Sequence, residues 1–277
     1  MRVRPLRVER IVMHILLILV SITMLFPFYF VMTASLKDKL EYVDNRLGLP
    51  RKPILENFRY LLIEANILDY FMNTILLISI TLVLYIVICS FSGFAFGKLR
   101  FRWKGVTFLF VLFLLIFPQM VLSMPLFSMM AKMGLINKHA GVILVWLAYF
   151  TPFGTYIMSS YYSAMPNDLV EAARIDGANI FRILFGIFIP LAGPMIATIS
   201  IIGFQAMWSE LPFSLLLLQR RELRTLTLGI AMLQGEHGLP IPVLSAAVVI
   251  SAIIPLILFL FFQKNIVVGV VSGSVKG

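Results

Sequence analysis

The chain has 277 residues, of which 60% are hydrophobic, 13% aromatic and only 13% charged, and its mean hydropathy is +0.97. A soluble domain carries about 25% charged residues, so this composition excludes a water-soluble globular protein and suits a chain solvated by lipid. The net charge of +10 sits in clusters between apolar runs with no basic–aromatic stripe, which marks membrane topology and excludes a nucleic-acid partner.

Six apolar runs are long enough to cross a bilayer, which takes about 20 residues as helix. They are 11–31, 71–96, 106–127, 140–158, 191–218 and 243–262. Backbone groups in lipid must bond internally, so the runs are predicted to be helices. The first exceeds the core of a signal peptide. Pro27, Phe28 and Tyr29 occupy the place of a cleavage site, so it reads as a retained span. The fifth contains Pro194, Gly203, Trp208, Glu210 and Pro212 and is expected to face a cavity or a partner. Two shorter runs, Ile183–Ile189 and Thr225–Leu233, are predicted to lie at a membrane surface or in a protein-facing loop. The chain reads as one membrane domain over 1–277.

Loop charge sets the orientation. Arg2, Arg4, Arg7 and Arg10 precede the first run, and Lys98, Arg100, Arg102 and Lys104 separate the second from the third. These short, dense segments point to the cytoplasm and, with six crossings, place both termini there. "QRRELR" at 219–224 opposes this, and the loop at 34–69 balances six basic with six acidic residues.

Between the fourth and fifth runs lies a charged segment, 164–190, containing "AMPNDLVEAARIDGAN". Asp168 and Glu171 match a capping box, and Pro166 suits a helix entry. Gly177 is placed to end the helix in a left-handed cap. The result is a helix of about two turns, too short to be stable alone, with Ala172 and Ala173 expected on its surface and Glu171 and Arg174 offering polar contacts. It is either a solvated connector or a docking element.

Several chemistries are missing. The nearest string to a phosphate loop, "GFAFGK" at 93–98, has the wrong spacing, so the chain is not expected to hydrolyse ATP or act as an enzyme. "GFAFG" reads instead as a GxxxG helix-packing surface. His14, His139 and His237 form no metal-ligand spacing, and Cys89 is the only cysteine. Carboxylates are nearly absent from the spans, which argues against a proton-coupled transporter. Glu210 is the exception. Either it and Trp208–Ser209 line a solute pathway, with an aromatic face for a sugar ring, or it is a partly hydrated residue at a helix end with Trp208 as interface anchor. Asn73 and Gln119 are further pathway candidates, or they bond neighbouring helices.

The segment at 171–190 resembles the EAA signature of permease subunits of bacterial carbohydrate ABC importers of the maltose type. Glu171, Ala172, Ala173, Gly177, Ile187 and Pro190 match, with Ile189 in place of the usual leucine. "TASLKD", "NFRYLL", "FMNT", "TLTLGIAML" and the ending "GVVSGSVKG" are similar to that family in the same order, over essentially the whole chain. The resemblance implies an all-α integral membrane protein of the type I ABC importer permease fold, with six transmembrane helices in the inner membrane. It implies a second permease subunit, two ATPase subunits that bind ATP and Mg, and an extracytoplasmic solute-binding protein, with no cofactor or metal on this chain. It also implies that the short helix is a coupling helix seated on an ATPase, with Glu171, Ala172, Ala173, Arg174, Asp176, Gly177 and Pro190 serving it. Gly235, Glu236, His237 and Gly238, in "LQGEHGLPIP", correspond to a loop that probes the binding protein, or else form a turn into the last helix. The tail corresponds to one that reaches the ATPases. The alternatives are a permease for a non-sugar solute and an ion-coupled secondary transporter.

Overall fold

The computed structural model describes the backbone of residues 7–274 and the side chains of residues 10–235 and 238–261. Arg2 and Arg4, on which the topology reading leans, lie outside the described residues, as do the side chains of Arg7, Glu236 and His237. Every regular element among the described residues is helical. The order is α1 (Arg7–Ser35), α2 (Lys39–Asp44), α3 (Glu56–Ile63), α4 (Ile67–Lys98), α5 (Lys104–Phe113), α6 (Gln119–Lys132), α7 (His139–Ala164), α8 (Asp168–Ile175), α9 (Ile180–Ile183), α10 (Ile189–Leu191), α11 (Gly193–Trp208), α12 (Pro212–Leu217), α13 (Leu226–His237) and α14 (Ile241–Ser274). Among the described residues four helices are long and apolar enough to cross a bilayer, within α1, α4, α7 and α14. Two bent pairs raise the number of spans to as many as six.

The bends are where the structure departs from straight apolar runs. The run 106–127 divides at Phe117 and Pro118, and the helices on either side meet at 105°. Phe117 is extended (φ −78°, ψ 119°), as the residue before proline prefers, and Pro118 has no N–H to continue the ladder. The run 191–218 is helical from Ile180, bends by 76° between Leu191 and Gly193, and stops at Trp208. The short run 183–189 is therefore part of a helical series and not a separate loop. Within it Leu184–Phe188 widens to a π turn, where the Ile189 N–H reaches the Leu184 carbonyl. Pro190 follows, and the extra residue absorbs its missing donor. The run 225–233 likewise belongs to α13, with Leu226, Leu228 and Leu233 buried.

The chain divides into two compact units, 1–67 with 230–253, and 68–229 with 254–277. In the first, the "TASLKD" and "NFRYLL" segments have a physical purpose. Lys37 is fully buried, and its Nζ donates to the carbonyls of Asn45 (2.7 Å) and Gly48 (2.6 Å), fixing the loop after α2. Asp38 caps α2 by accepting from the N–H groups of Leu40 and Glu41, both at 2.8 Å. Asn57 Nδ2 donates to the carbonyls of Ser35 and Lys37 at 2.8 Å, satisfying the orphaned end of α1. Along α1 the apolar side chains stay exposed, Met24 at 68% and Leu25 at 64%, an arrangement that suits lipid.

The second unit is organised by close contact of α4 and α7. A Cβ on Gly93 would lie 2.4 Å from the Met158 Cβ, and one on Gly97 2.8 Å from the Tyr162 Cβ. The GxxxG reading of "GFAFG" thus corresponds to backbones that touch with no side chain between them. Phe94, Tyr162 and Phe188 pack edge-to-face beside this seam at centroid separations of 5.0–6.1 Å.

Candidate functional site

All three features of interest lie in the second unit. The first is α8. Its start departs from the capping-box expectation. The N-cap is Asn167, one residue earlier, it has helical backbone angles, and it makes no side-chain cap bond. The Val170 and Glu171 N–H groups are met by the Asn167 carbonyl instead, at 2.8 and 3.2 Å. The reason is visible next door. The Asn167 Oδ1 is taken by Lys98 Nζ at 2.8 Å, and the same ammonium donates to the Met165 carbonyl. The helix end follows the expectation. Gly177 has φ +75°, its N–H bonds the Arg174 carbonyl at 3.0 Å, and the Ala178 N–H bonds the Ala173 carbonyl at 2.9 Å. These are the paired bonds of a Schellman cap, which a left-handed glycine makes without strain.

Burial divides α8 into two faces. Val170 and Ala173 are buried, while Glu171, Ala172, Arg174 and Asp176 are exposed and Ile175 is 86% exposed. Ala173 is therefore not a surface residue. It sits three positions from Val170, on the stripe that packs into its own chain. Pro190 is remote in sequence from this helix, at the first turn of α10.

The second feature surrounds Glu210. The residue is 4% exposed, and its carboxylate accepts five hydrogen bonds. Oε1 receives Gln119 Nε2 at 2.7 Å and the Phe213 N–H at 2.6 Å. Oε2 receives Trp146 Nε1 at 3.0 Å, the Ser214 N–H at 3.1 Å and Ser214 Oγ at 2.7 Å. One carboxylate thus caps α12 and ties it to α6 and α7. A buried carboxylate is tolerable only when its acceptor sites are filled, and here they are filled by the chain itself. This corrects the partly hydrated position expected for Glu210. Gln119 is committed to the same knot. Asn73 Nδ2 is committed to the carbonyls of Glu222 (2.8 Å) and Arg224 (3.2 Å), anchoring the Arg-rich loop. Trp208 is buried, stacked on Phe204 and edge-on to Phe71, and its carbonyl accepts Thr227 Oγ1 at 2.7 Å. Of the five pathway candidates only Ser209 has an exposed side chain, and its Oγ bonds the Gln205 carbonyl at 2.9 Å.

The third feature is a cavity of about 230 Å³ lined by aromatic residues the sequence reading did not single out. Tyr85, Phe117, Tyr149, Phe150 and Phe153 surround it, with Leu114, Gly203 and Ala206. It opens where the 105° break pulls α5 and α6 apart, so the "FPQ" at 117–119 was the available signal.

One further expectation meets the structure in the first unit. "LQGEHGLPIP" is not all loop. Helix α13 continues to His237, so Gly235 is helical, and the turn narrows to 238–240, with Gly238 at φ +56°. Among the described residues no cluster of His, Cys, Asp or Glu could hold a metal.

Bilayer-length apolar helices and spans broken at proline define a multi-pass, all-helical membrane protein, the architectural class of solute permeases. Comparison with known proteins narrows the class. Residues 90–270 match the model of the binding-protein-dependent transport system inner membrane component family. The trehalose/maltose transport system permease protein MalG of Thermococcus litoralis is 34% identical over 272 residues, 97% of this chain and 98% of that one. The melibiose/raffinose/stachyose import permease protein MelC of Bacillus subtilis is 31% identical over 91% of both chains. The arabinooligosaccharides transport system permease protein AraQ of Halalkalibacterium halodurans is 32% identical, again over 91% of each. A chain from the crystal structure of a bacterial ABC transporter involved in import of the acidic polysaccharide alginate has the same fold, with a TM-score of 0.82, 23% identity and coverage of 95% and 99%. The chain belongs to the family of binding-protein-dependent transport inner membrane components and has the type I ABC permease fold. It is a multi-pass inner-membrane transport subunit.

Proposed function

We propose that this chain is one of two permease subunits of a sugar or oligosaccharide ABC importer, and that α8 is the lever through which two separate ATPase subunits drive it. Each bent pair counts as one crossing, giving six spans with both termini and α8 in the cytoplasm. The observation that carries the reading is the division of α8: one stripe buried in its own chain, the other bare and tipped by Ile175 at 86% exposure. A short helix with an apolar residue so exposed between Glu171, Arg174 and Asp176 fits a partner better than water. Glu171, Ala172, Arg174 and Asp176 form the contact, Gly177 fixes where the helix stops, and Pro190 shapes the helices behind it. Ala173 acts from the inside, as the joint between lever and spans.

ATP and Mg belong to the ATPases, whose closure moves α8. A solute-binding protein delivers cargo at the opposite face, where 235–238 meets it. The sugar assignment is supported by relatives named for trehalose/maltose, melibiose/raffinose/stachyose and arabinooligosaccharides. The solute meets this chain at the aromatic cavity, whose rings suit the apolar faces of sugars. Copurification from the native membrane tests the lever. Ile175→Asp leaves the spans folded and is expected to strip the ATPase from the complex. A variant that keeps its ATPase and couples hydrolysis to uptake normally would refute the reading. Uptake of a solute panel with the binding protein present tests the cargo.

A further inference from the structure

A basic cleft lies beside α8 and shares Glu171 and Arg174 with the face that the lever reading gives to the ATPase. It has a volume of about 350 Å³ and is lined by Lys98, Arg100, Lys104 and Arg174, with Glu171 at the rim, over Gly97, Leu99, Asn167 and Val170. Four cations against one carboxylate leave three positive charges uncompensated. Two are tethered: Lys98 Nζ donates to Met165 and Asn167, and Lys104 Nζ donates to the Leu99 carbonyl at 3.0 Å. The Arg100 and Arg174 side chains make no hydrogen bond or ion pair among the described residues, so two guanidiniums stand at a formed concavity with their donors unspent. Guanidinium forks recognise phosphate oxygens in pairs.

The surroundings identify the occupant. The cleft lies where span α4 ends and α5 begins, at the depth of the headgroups. Beside it Trp103 is 63% exposed, with the Arg102 guanidinium 5.4 Å over its ring, and Phe101 is 42% exposed. Along α5, Val106, Leu109 and Phe110 expose apolar side chains at 60–67% on the face turned away from Lys104. A cationic cleft at the end of a bilayer-length span, with an exposed indole in the same turn, matches a glycerophospholipid, its phosphodiester in the cleft and its acyl chains directed toward the span. An acidic protein segment would match the cations but has no need of their place at the end of a bilayer-length span.

We propose that this cleft is a binding site for an anionic phospholipid, held through its phosphate by Arg100 and Arg174 beside Lys98 and Lys104. The headgroup bridges the α4–α5 turn to α8, so its occupancy sets how firmly α8 is held.

The test is Trp quenching in phosphatidylcholine vesicles containing the full chain, with brominated acyl chains on either phosphatidylglycerol or phosphatidylcholine. Trp146 and Trp208 are buried, so the change removed by Trp103→Phe reports on this site. Phosphatidylglycerol is expected to quench at roughly fivefold lower fraction, the order contributed by one cation at an anionic surface. The preference is expected to vanish in Arg100→Gln/Arg174→Gln, which breaks no internal bond, and to persist in Lys39→Gln/Lys52→Gln, which removes the same charge elsewhere. Equal quenching by both lipids, a preference surviving Arg100→Gln/Arg174→Gln, or one lost equally in the control pair would overturn the proposal. So would its abolition by millimolar inorganic phosphate, which would assign the cleft to the free anion. No ATPase is present in the assay, so the outcome is independent of the lever reading.

Discussion

Replacing Glu210 with Gln separates architecture from transport. The substitution keeps the shape and exchanges one acceptor oxygen for a donor NH2. If the amide nitrogen takes the Oε2 position, it faces Trp146 Nε1 and the Ser214 N–H, two donors that cannot turn away. If it takes the Oε1 position, Gln119 can flip its own amide and accept, so only the Phe213 N–H is orphaned. The second arrangement is cheaper and sets the cost. An unsatisfied buried donor costs about 1–3 kcal/mol, and each remaining bond falls from charge-assisted to neutral strength, a loss of about 1 kcal/mol. Four such bonds remain, so the total is about 5–7 kcal/mol, somewhat above the about 3–5 kcal/mol of breaking a single buried charged pair. At about 2–4 °C per kcal/mol for a chain of this size, the detergent-solubilised protein should melt roughly 10 °C or more lower, with α12 the first element to lose amide-exchange protection. Glu210→Gln/Gln119→Glu, which returns a carboxylate to the cluster, should recover part of the loss. An unchanged melting temperature with impaired uptake would refute the reasoning and return Glu210 to the solute pathway.

Other expectations follow from the same geometry. Gly93→Leu places atoms where a Cβ already meets Met158 at 2.4 Å; it should part α4 from α7 and abolish recovery of folded protein, while Gly105→Leu, with open space around it, should be recovered normally. Lys37→Met leaves the Asn45 and Gly48 carbonyls without their shared donor, at about 1.5–3 kcal/mol for each charged bond, and should open the 45–52 loop to limited proteolysis at unchanged ATPase binding. Gly177→Asp forces a side chain into left-handed backbone at φ +75°, about 1–2 kcal/mol; fraying of α8 should raise ATP hydrolysis per solute moved, read in proteoliposomes.

Composition and run length reveal a lipid-solvated helical protein because a membrane helix has to be apolar along most of its surface. They do not reveal where a span breaks. Pro27, Pro125, Pro152 and Pro255 all lie inside continuous helices, whereas Pro118 marks a 105° bend. What distinguishes them is the neighbouring packing, which a local window does not contain. The end of α8 was legible because a glycine cap is encoded within three residues. Its start was not, because Lys98, 69 positions away, takes the Asn167 side chain. The division of two adjacent alanines into one buried and one bare was hidden for a similar reason: the stripe is set by the wall behind the helix. The partners of Glu210 lie 91 and 64 residues away in Gln119 and Trp146, so a local reading left a solute contact and a hydrated helix end both open and could not contain these bonds.

The glycine seam between α4 and α7 has a mechanical consequence. Two helices in backbone contact cannot roll on one another, because rotation by one residue, about 100°, would drive Ser92 or Phe94 into the space left for Gly93. The pair behaves as a rigid strut. Compliance is left to the two places where the helical ladder is already interrupted, at 117–118 and at 191–193. The unit is therefore built like a jointed frame, with stiff members of α4 and α7 and two proline-marked bends, one of which lies beside the aromatic cavity.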